Sequence, residues 1–271
     1  MAKLFVIFNP AARGEKSQRF RAFLESQAGL DVQLRPTQQA GHARELAAAA
    51  VTEGATSIVA AGGDGTINEV VNGIGTAGIP LGILPLGTAN VFARELRLPL
   101  RTQRAWSVIQ AGQTRAVDLG VAEAGAERRY FVQLAGIGFD AAAIKEASWE
   151  LKKKIGPLSY VVAGWRVLRR KPRLPGVFIG NGRFYGGPFA MFPAANLADG
   201  KLDICVMERP RLWDAVAVLM GRHTTQPGVK YFQAETYQHD GALPFELDGE
   251  LAGTTPVKFS VLPRALRVIV P

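Results

Sequence analysis

The sequence predicts an α/β protein in two parts, a parallel-sheet α/β domain followed by a mainly antiparallel β domain. Three observations predict it. Apolar stretches alternate with helix-period stretches as far as about Val117, which is the βαβ rhythm of a parallel sheet. Two of those strands end in turns rich in small residues, GGDGT at 62–66 and PLGTAN at 85–90. After Val117 the helices thin out and short strand candidates follow one another, separated by Gly and Pro turns.

The first part begins with a strand over Lys3 to Phe8, where five apolar residues in a row are too few for a signal-peptide core. A helix is expected near Lys16 to Gln27, a strand at Asp31 to Leu34, a helix near Gly41 to Glu53 and a strand at Ser57 to Ala61. Ile67, Val70, Val71 and Ile74 then recur at helical spacing. Pro80 to Leu84 is the next strand, and a helix runs from the PLGTAN turn to about Leu96. Residues 70–93 carry no charge, yet five glycines and two prolines among them argue for a buried core over a membrane span. In the second part, strands are expected at Ala116 to Val121, Tyr130 to Leu134, Val177 to Ile179, Phe189 to Phe192, Leu202 to Met207 and Pro244 to Leu247. Helices are expected between Pro157 and Arg170 and between Leu212 and Met220.

Ligands of parallel sheets gather at the carboxyl ends of the strands, so Asn9-Pro10, Thr37, the GGDGT turn and Gly87-Thr88 can converge. Gly62, Gly63 and Gly65 let main-chain N–H groups approach a ligand, and Thr66 can cap a helix whose N-terminus favours an anion. Asp64 would repel a phosphate unless a cation stood between them, which points to a group that arrives with Mg²⁺. The same residues also fit an ordinary strand-to-helix turn. In DGKLD at 199–203, Asp199 and neighbouring carbonyls can surround a hard cation or form a plain Asp-Gly turn. LDGE at 247–250 places Asp248 and Glu250 after a strand, where they suit acid–base chemistry or a solvated hairpin turn.

Composition narrows the function. One cysteine, Cys205, excludes an internal disulfide, and three scattered histidines offer no zinc spacing. No GxSxG stretch supplies a nucleophilic serine, so a serine hydrolase is a weak reading. The net charge of +9 is concentrated: Trp149 to Arg173 holds eight Lys/Arg against one Glu. Lys152, Lys153, Lys154, Arg169 and Arg170 lie there with Trp165, a mixture that suits an anionic membrane surface and equally a helix with one core face and one solvated face. No nucleic-acid-binding signature accompanies the basic character, so nucleic acid is not an expected partner.

Taken in order, Asn9-Pro10, Thr37 ahead of Gly41-His42-Ala43, GGDGTINEVVNGI, PLGTAN, GIGFDA at 136–141, DGKLD and LDGE resemble the diacylglycerol kinase catalytic family. The likeness is strongest to the soluble bacterial lipid kinases related to sphingosine kinases, and it covers nearly the whole chain. GGDGT alone is shared with NAD kinases and, loosely, phosphofructokinases; the ordered set is far more specific. The resemblance implies an ATP-binding domain over 1–117, to which a final strand near 265–271 returns. It further implies a lipid-substrate β-sandwich over 118–264, with the active site in the cleft between the two. On the matching positions, Asn9, Thr37, Gly62, Gly63, Asp64, Gly65, Thr66, Ile67, Asn68 and Thr88 would contact ATP, with Asp64 acting through metal or water. Asp199, with the main-chain oxygens of Asn196 and Lys201, would bind Mg²⁺. Asp248 would accept the proton of the lipid hydroxyl, and Glu250 would support the charge.

The implied reaction is Mg²⁺-dependent transfer of the γ-phosphate of ATP to a diacylglycerol-like or sphingoid- or ceramide-like acceptor, at the cytoplasmic face of a membrane. One departure stands out. PLGTAN is followed by Val91, where the bacterial members usually carry an aspartate of the metal and water network. That substitution keeps open a catalytically silent lipid- or nucleotide-binding module, beside a soluble-substrate kinase of the NAD kinase type, and it weakens the analogy by which a homodimer would be a partner.

Overall fold

The structure, a computed structural model, describes residues 3–10, 22–23, 32–146, 158–170, 174–222 and 228–271; side chains are described for all of these except 158–161. The chain forms two compact units, one of Met1–Val117 with Arg264–Pro271 and one of Asp118–Pro263. The expected class is borne out: the first unit holds a parallel sheet and the second an antiparallel sandwich.

The first unit is built on β1 (Leu4–Phe8), β2 (Val32–Pro36), β3 (Ser57–Gly62) and β4 (Leu81–Pro85), in the order β2-β1-β3-β4 and all parallel. Alternation turns Val6, Phe8, Val59, Ala61 and Leu84 to one face, where they meet Ala105, Trp106 and Ile109 of a helix at Thr102–Ala111. Phe5, Ile7, Ile58 and Ile83 are buried on the other face. The helices with described bounds in this unit are α1 (His42–Thr52), α2 (Asp64–Ile74) and α3 (Val91–Glu95), with the Thr102–Ala111 helix as α4. Of the helix expected at Lys16 to Gln27, only Ala22 and Phe23 are described, with Phe23 edge-on to Trp106.

Helices α1 and α2 are joined by a carboxylate. Glu69 accepts the main-chain N–H groups of Gly41 (2.8 Å) and Ala43 (2.9 Å), supplying negative charge at an α1 N-terminus that no side chain of its own caps. Glu69→Ala is therefore expected to lower stability by about 1–2 kcal/mol, while Glu69→Gln, which keeps one acceptor, should cost less. Denaturant unfolding of both variants checks the order.

The second unit carries a six-stranded antiparallel sheet. Its members are β7 (Leu134–Gly138), β8 (Gly176–Gly180), β11 (Leu202–Met207), β12 (Val229–Ala234), β14 (Pro244–Leu247) and β15 (Glu250–Thr254), ordered β12-β11-β8-β7-β14-β15. The opposing layer comes from β5 (Thr114–Ala124), β6 (Glu127–Phe131), β13 (Thr236–His239) and β16 (Val257–Ile269). Ile137, Ile179, Ile204, Phe245 and Leu247 interdigitate with Phe131, Val257 and Phe259 between these layers. On its other face the sheet is covered by α5 (Phe139–Glu146), α6 (Leu158–Arg170) and α7 (Leu212–Leu219), beside the small β9 (Phe184–Tyr185) and β10 (Phe189–Ala190) pair. Strands β5 and β16 run on from one unit into the other.

The strands at Leu202 to Met207 and Pro244 to Leu247 fall as the sequence predicts. The stretch Tyr130 to Leu134 does not: β6 ends at Phe131 and β7 starts at Leu134. Between them the main chain of Val132 and Gln133 leaves the ladders for other partners. Their N–H groups go to the Asp248 carboxylate, and their C=O groups to Asn181 and Gly182.

Candidate functional site

In the first unit the ends of the parallel strands are laced together by main-chain bonds. Thr37 N–H donates to Phe8 C=O (2.9 Å), Asn9 N–H to Ala61 C=O (3.2 Å) and Leu86 N–H to Gly62 C=O (2.9 Å). The segments carrying Asn9, Thr37, GGDGT and Thr88 thus lie along one edge of the sheet. Helix α2 starts earlier than the glycine pattern suggests. Asp64 already belongs to it, Gly63 precedes it, and Thr66 is buried in its first turn with no side-chain cap bond made. The N–H groups of a first turn have no intrahelical acceptor, so they remain the natural anion donors of this loop. Ile67 and Asn68 turn their side chains into the protein, leaving Gly63, Asp64 and Gly65 partly exposed.

The two small-residue turns touch each other through main chain. A Cβ on Gly87 would come within 2.6 Å of Gly63 Cα and 2.9 Å of Asn90 Oδ1. Asn90, in the left-handed region at φ 48°, closes the 87–90 turn with both ends of its amide, accepting from Gly87 N–H (2.9 Å) and donating to Gly87 C=O (3.0 Å). Arg94 Nε holds the Ala89 carbonyl at 2.8 Å. One partner of Asp64 is internal as well: its Oδ1 accepts Val91 N–H at 2.7 Å, so the carboxylate serves the start of α3. Because that bond is to main chain, it does not depend on which side chain stands at 91.

In the second unit Asp248 is held from three sides. Its Oδ2 accepts Val132 N–H (2.8 Å), and its Oδ1 accepts the N–H groups of Gln133 (2.9 Å) and Leu134 (3.0 Å). Its own N–H donates to Leu134 C=O, and its φ of 50° sets it at the corner of the β14–β15 turn. Glu250 opens β15 and is exposed. Asn181, buried and absent from the sequence-predicted set, donates from Nδ2 to Val132 C=O (2.9 Å) and Asp118 C=O (3.0 Å).

Asp118, also unanticipated and buried, takes Gly200 N–H on Oδ2 at 2.7 Å and so fixes the DGKLD loop. In that loop Asp199 Oδ1 accepts Lys201 N–H (3.1 Å), and Asn196 C=O accepts Asp199 N–H (3.4 Å). Among the described residues no cluster of three His, Cys, Asp or Glu could hold a metal ion. The loop offers one carboxylate with main-chain oxygens, an all-oxygen set that suits a hard cation keeping several waters. Asp203, the second aspartate of the motif, is buried and takes the Tyr231 hydroxyl and Gln233 Nε2. Burial also pushes the Cys205 thiol up to about 12, which makes it an inert packing residue.

Two more acids went unread in the sequence. Asp140 in α5 and Glu246 in β14 are both fully buried. Burial raises the Asp140 carboxyl to about 6; burial and the neighbouring Asp140 push Glu246 well above the usual carboxylate range. Beside Asp140, a small apolar pocket with a cavity volume of about 30 Å³ is lined by Phe139, Ala143, Gly164, Tyr185, Val216 and Leu219 among others.

Of the basic segment, Lys152, Lys153 and Lys154 lie outside the described residues. Trp165, 43% exposed, stacks under the Arg169 guanidinium at 4.9 Å, while Arg170 pairs with Glu146 at 3.0 Å. Ala163 and Val167 form the core face of α6. Among the described residues no helix is long and apolar enough to cross a membrane.

The comparisons with known proteins agree with this layout. The model of the diacylglycerol kinase catalytic domain matches residues 3–122, and that of the YegS C-terminal NAD kinase β-sandwich-like domain matches residues 172–270. A protein named diacylglycerol kinase from Staphylococcus aureus (strain bovine RF122 / ET3-1) is 31% identical, over 98% of this chain and 91% of its own. Another of that name from Staphylococcus carnosus (strain TM300) is 29% identical, over 98% and 94%. A crystal structure of a diacylglycerol kinase from Bacillus anthracis str. Sterne superposes with a TM-score of 0.78 at 24% identity, covering 99% of this chain and 97% of that one. At that identity the superposition speaks for the fold.

Proposed function

We propose, from the premise that this chain belongs to the diacylglycerol kinase family of lipid kinases, that it transfers the γ-phosphate of ATP to the hydroxyl of a membrane lipid. The observation that carries this reading is the pair of glycine turns at the strand ends, packed main chain against main chain beside the first turn of α2. Such a surface offers N–H donors to a polyphosphate without side chains in the way. Asn9, Thr37, Gly62, Gly63, Asp64, Gly65, Thr66 and Thr88 would contact the nucleotide there, and Ile67 and Asn68, whose side chains are buried, would meet it through main chain.

Asp248, oriented by its three main-chain donors, is the carboxylate that would meet the proton of the acceptor hydroxyl. It would take that proton as the oxygen attacks phosphorus, with Glu250 adding charge at the edge of the turn. Asp199 and the main-chain oxygens of Asn196 and Lys201 would hold Mg²⁺, which when bound neutralises phosphate charge. Trp165, Arg169 and Arg170, with Lys152, Lys153 and Lys154, would rest on an anionic leaflet at the cytoplasmic face.

The test is incubation with labelled Mg·ATP and mixed vesicles that present diacylglycerol, ceramide, a sphingoid base or phosphatidylglycerol, in neutral and in anionic carrier lipid. Label in one lipid class, formed faster on the anionic carrier, is the expected result. Nucleotide binding with no labelled lipid would replace the kinase by a silent binding module, and label in a soluble alcohol would replace it by a soluble-substrate kinase.

A further inference from the structure

Strand β14 alternates, so that Phe245 and Leu247 enter the sandwich interior while Glu246 faces the helix layer. Its register partner on β7 is Gly136, whose missing side chain leaves a slot. Asp140 fills that slot. A Cβ on Gly136 would overlap the Asp140 carboxyl, lying 2.7 Å from its Cγ, so the glycine is what lets the acid reach Glu246. The two carboxyls are within hydrogen-bonding reach of each other. Their outer oxygens are anchored: Asp140 Oδ1 by the Tyr185 hydroxyl and Glu246 Oε2 by Gly249 N–H at 2.6 Å. Among the described residues, no donor reaches the inner pair, Asp140 Oδ2 and Glu246 Oε1.

Two buried acceptors facing each other are costly, and a single proton between them satisfies both. The Gly249 N–H that Glu246 holds follows directly on Asp248. We propose that Asp140 and Glu246 share one proton and act together as positioning residues, fixing the 246–249 turn so that Asp248 keeps its place. The positioning role rests on the kinase reading of Asp248; the shared proton does not.

Around the pair, β9 contributes Tyr185, the turn contributes Asp248 and Gly249 N–H, and β7 contributes only glycine. Among the described residues, the further charge that acts on Glu246 is the negative Asp248, which favours retention of the proton. Both carboxyls are raised above their unfolded values, so the folded protein binds more protons than the unfolded chain above the ordinary carboxylate range. Stability then falls as pH rises through the pair's range and the proton leaves to solvent.

The experiment is infrared spectroscopy of the full chain without substrate, with denaturant unfolding from about pH 5 to about pH 9, on wild type, Glu246→Gln and Asp140→Asn. A protonated-carboxyl C=O stretch is expected at neutral pH in wild type and in neither variant. Each amide supplies a permanent N–H to the remaining carboxylate, so the alkaline loss of stability should flatten in both. Absence of the stretch in wild type, or an unchanged pH slope in both variants, overturns the shared proton. Once an acceptor lipid is known, wild-type turnover should fall about tenfold per pH unit above the pair's range, in step with the stretch. Glu246→Gln, whatever its level, should lose that limb. A wild-type profile flat where the stretch disappears overturns the positioning role. A stretch that behaves as expected in a protein that phosphorylates no lipid leaves the pair standing and removes the kinase.

Discussion

Asp248→Asn is expected to lower phosphoryl transfer by about 10²-fold or more and, in the same molecule, to lower the unfolding free energy by about 1–3 kcal/mol. Both losses come from one side chain. The carboxylate takes three main-chain N–H groups, from Val132, Gln133 and Leu134. Asparagine tolerates the left-handed φ of 50°, so the backbone at the corner survives. Its amide, however, offers one oxygen and one NH₂. The NH₂ must face at least one N–H donor, which leaves a buried group unpaired. Alanine leaves all three unpaired and adds left-handed strain, so it should cost roughly 3 kcal/mol or more. Kinetics and unfolding measured side by side check this. Unchanged stability in Asp248→Asn would show that the three bonds matter little to the fold; unchanged turnover would remove Asp248 as the proton acceptor and direct attention to Glu250 or Asp64.

Gly87→Ala should abolish productive nucleotide binding, raising the dissociation constant for Mg·ATP by at least about tenfold, at a stability cost of about 1–3 kcal/mol. The added methyl would stand 2.6 Å from Gly63 Cα, and a clash with main chain cannot be relieved by rotating a side chain. The turns must part, and the 87–90 turn loses its Asn90 closure because the new Cβ lies 2.9 Å from Asn90 Oδ1. At Gly63 an added Cβ meets only Gly87 Cα at 3.4 Å, so Gly63→Ala is the milder control, and Gly63→Val should fall between the two. Calorimetric titration with Mg·ATP orders the three. Wild-type affinity in Gly87→Ala would mean that nucleotide does not bind at these turns.

What the sequence made legible was local. The strand over Leu202 to Met207 reads from its own short, largely apolar run, and the glycine turns read from composition and spacing. What it concealed was decided by partners far along the chain. Tyr130 to Leu134 looks like one strand because nothing near it announces that Val132 and Gln133 give their N–H groups to Asp248, more than a hundred positions away. Asp140 stands inside GIGFDA, but nothing local announces its burial, which depends on Gly136 and Tyr185. Asp64 reads as an acid awaiting a cation; Val91 N–H, one of its partners, belongs to a different loop. Asp118 and Asn181 carried no motif, and their roles in holding Gly200 and Val132 emerge only from the folded arrangement.

The parallel pairing of Val268 with Leu81, with Val270 N–H bonded to Gln113 C=O, bears on how the protein is made. On a translating ribosome β1 to β4 emerge first, but the neighbour that covers the β4 edge appears only after all of the second unit has been synthesised. Until then the N-terminal sheet presents an unpaired edge strand, the kind of surface on which nascent chains pair wrongly. The second unit, being continuous in sequence, has its whole core before that edge is closed. The nascent chain is thus expected to complete its later-encoded part first and to need chaperone cover for the earlier one. Arrest of translation just before Arg264 should yield a chain whose second unit resists protease while its first is cleaved.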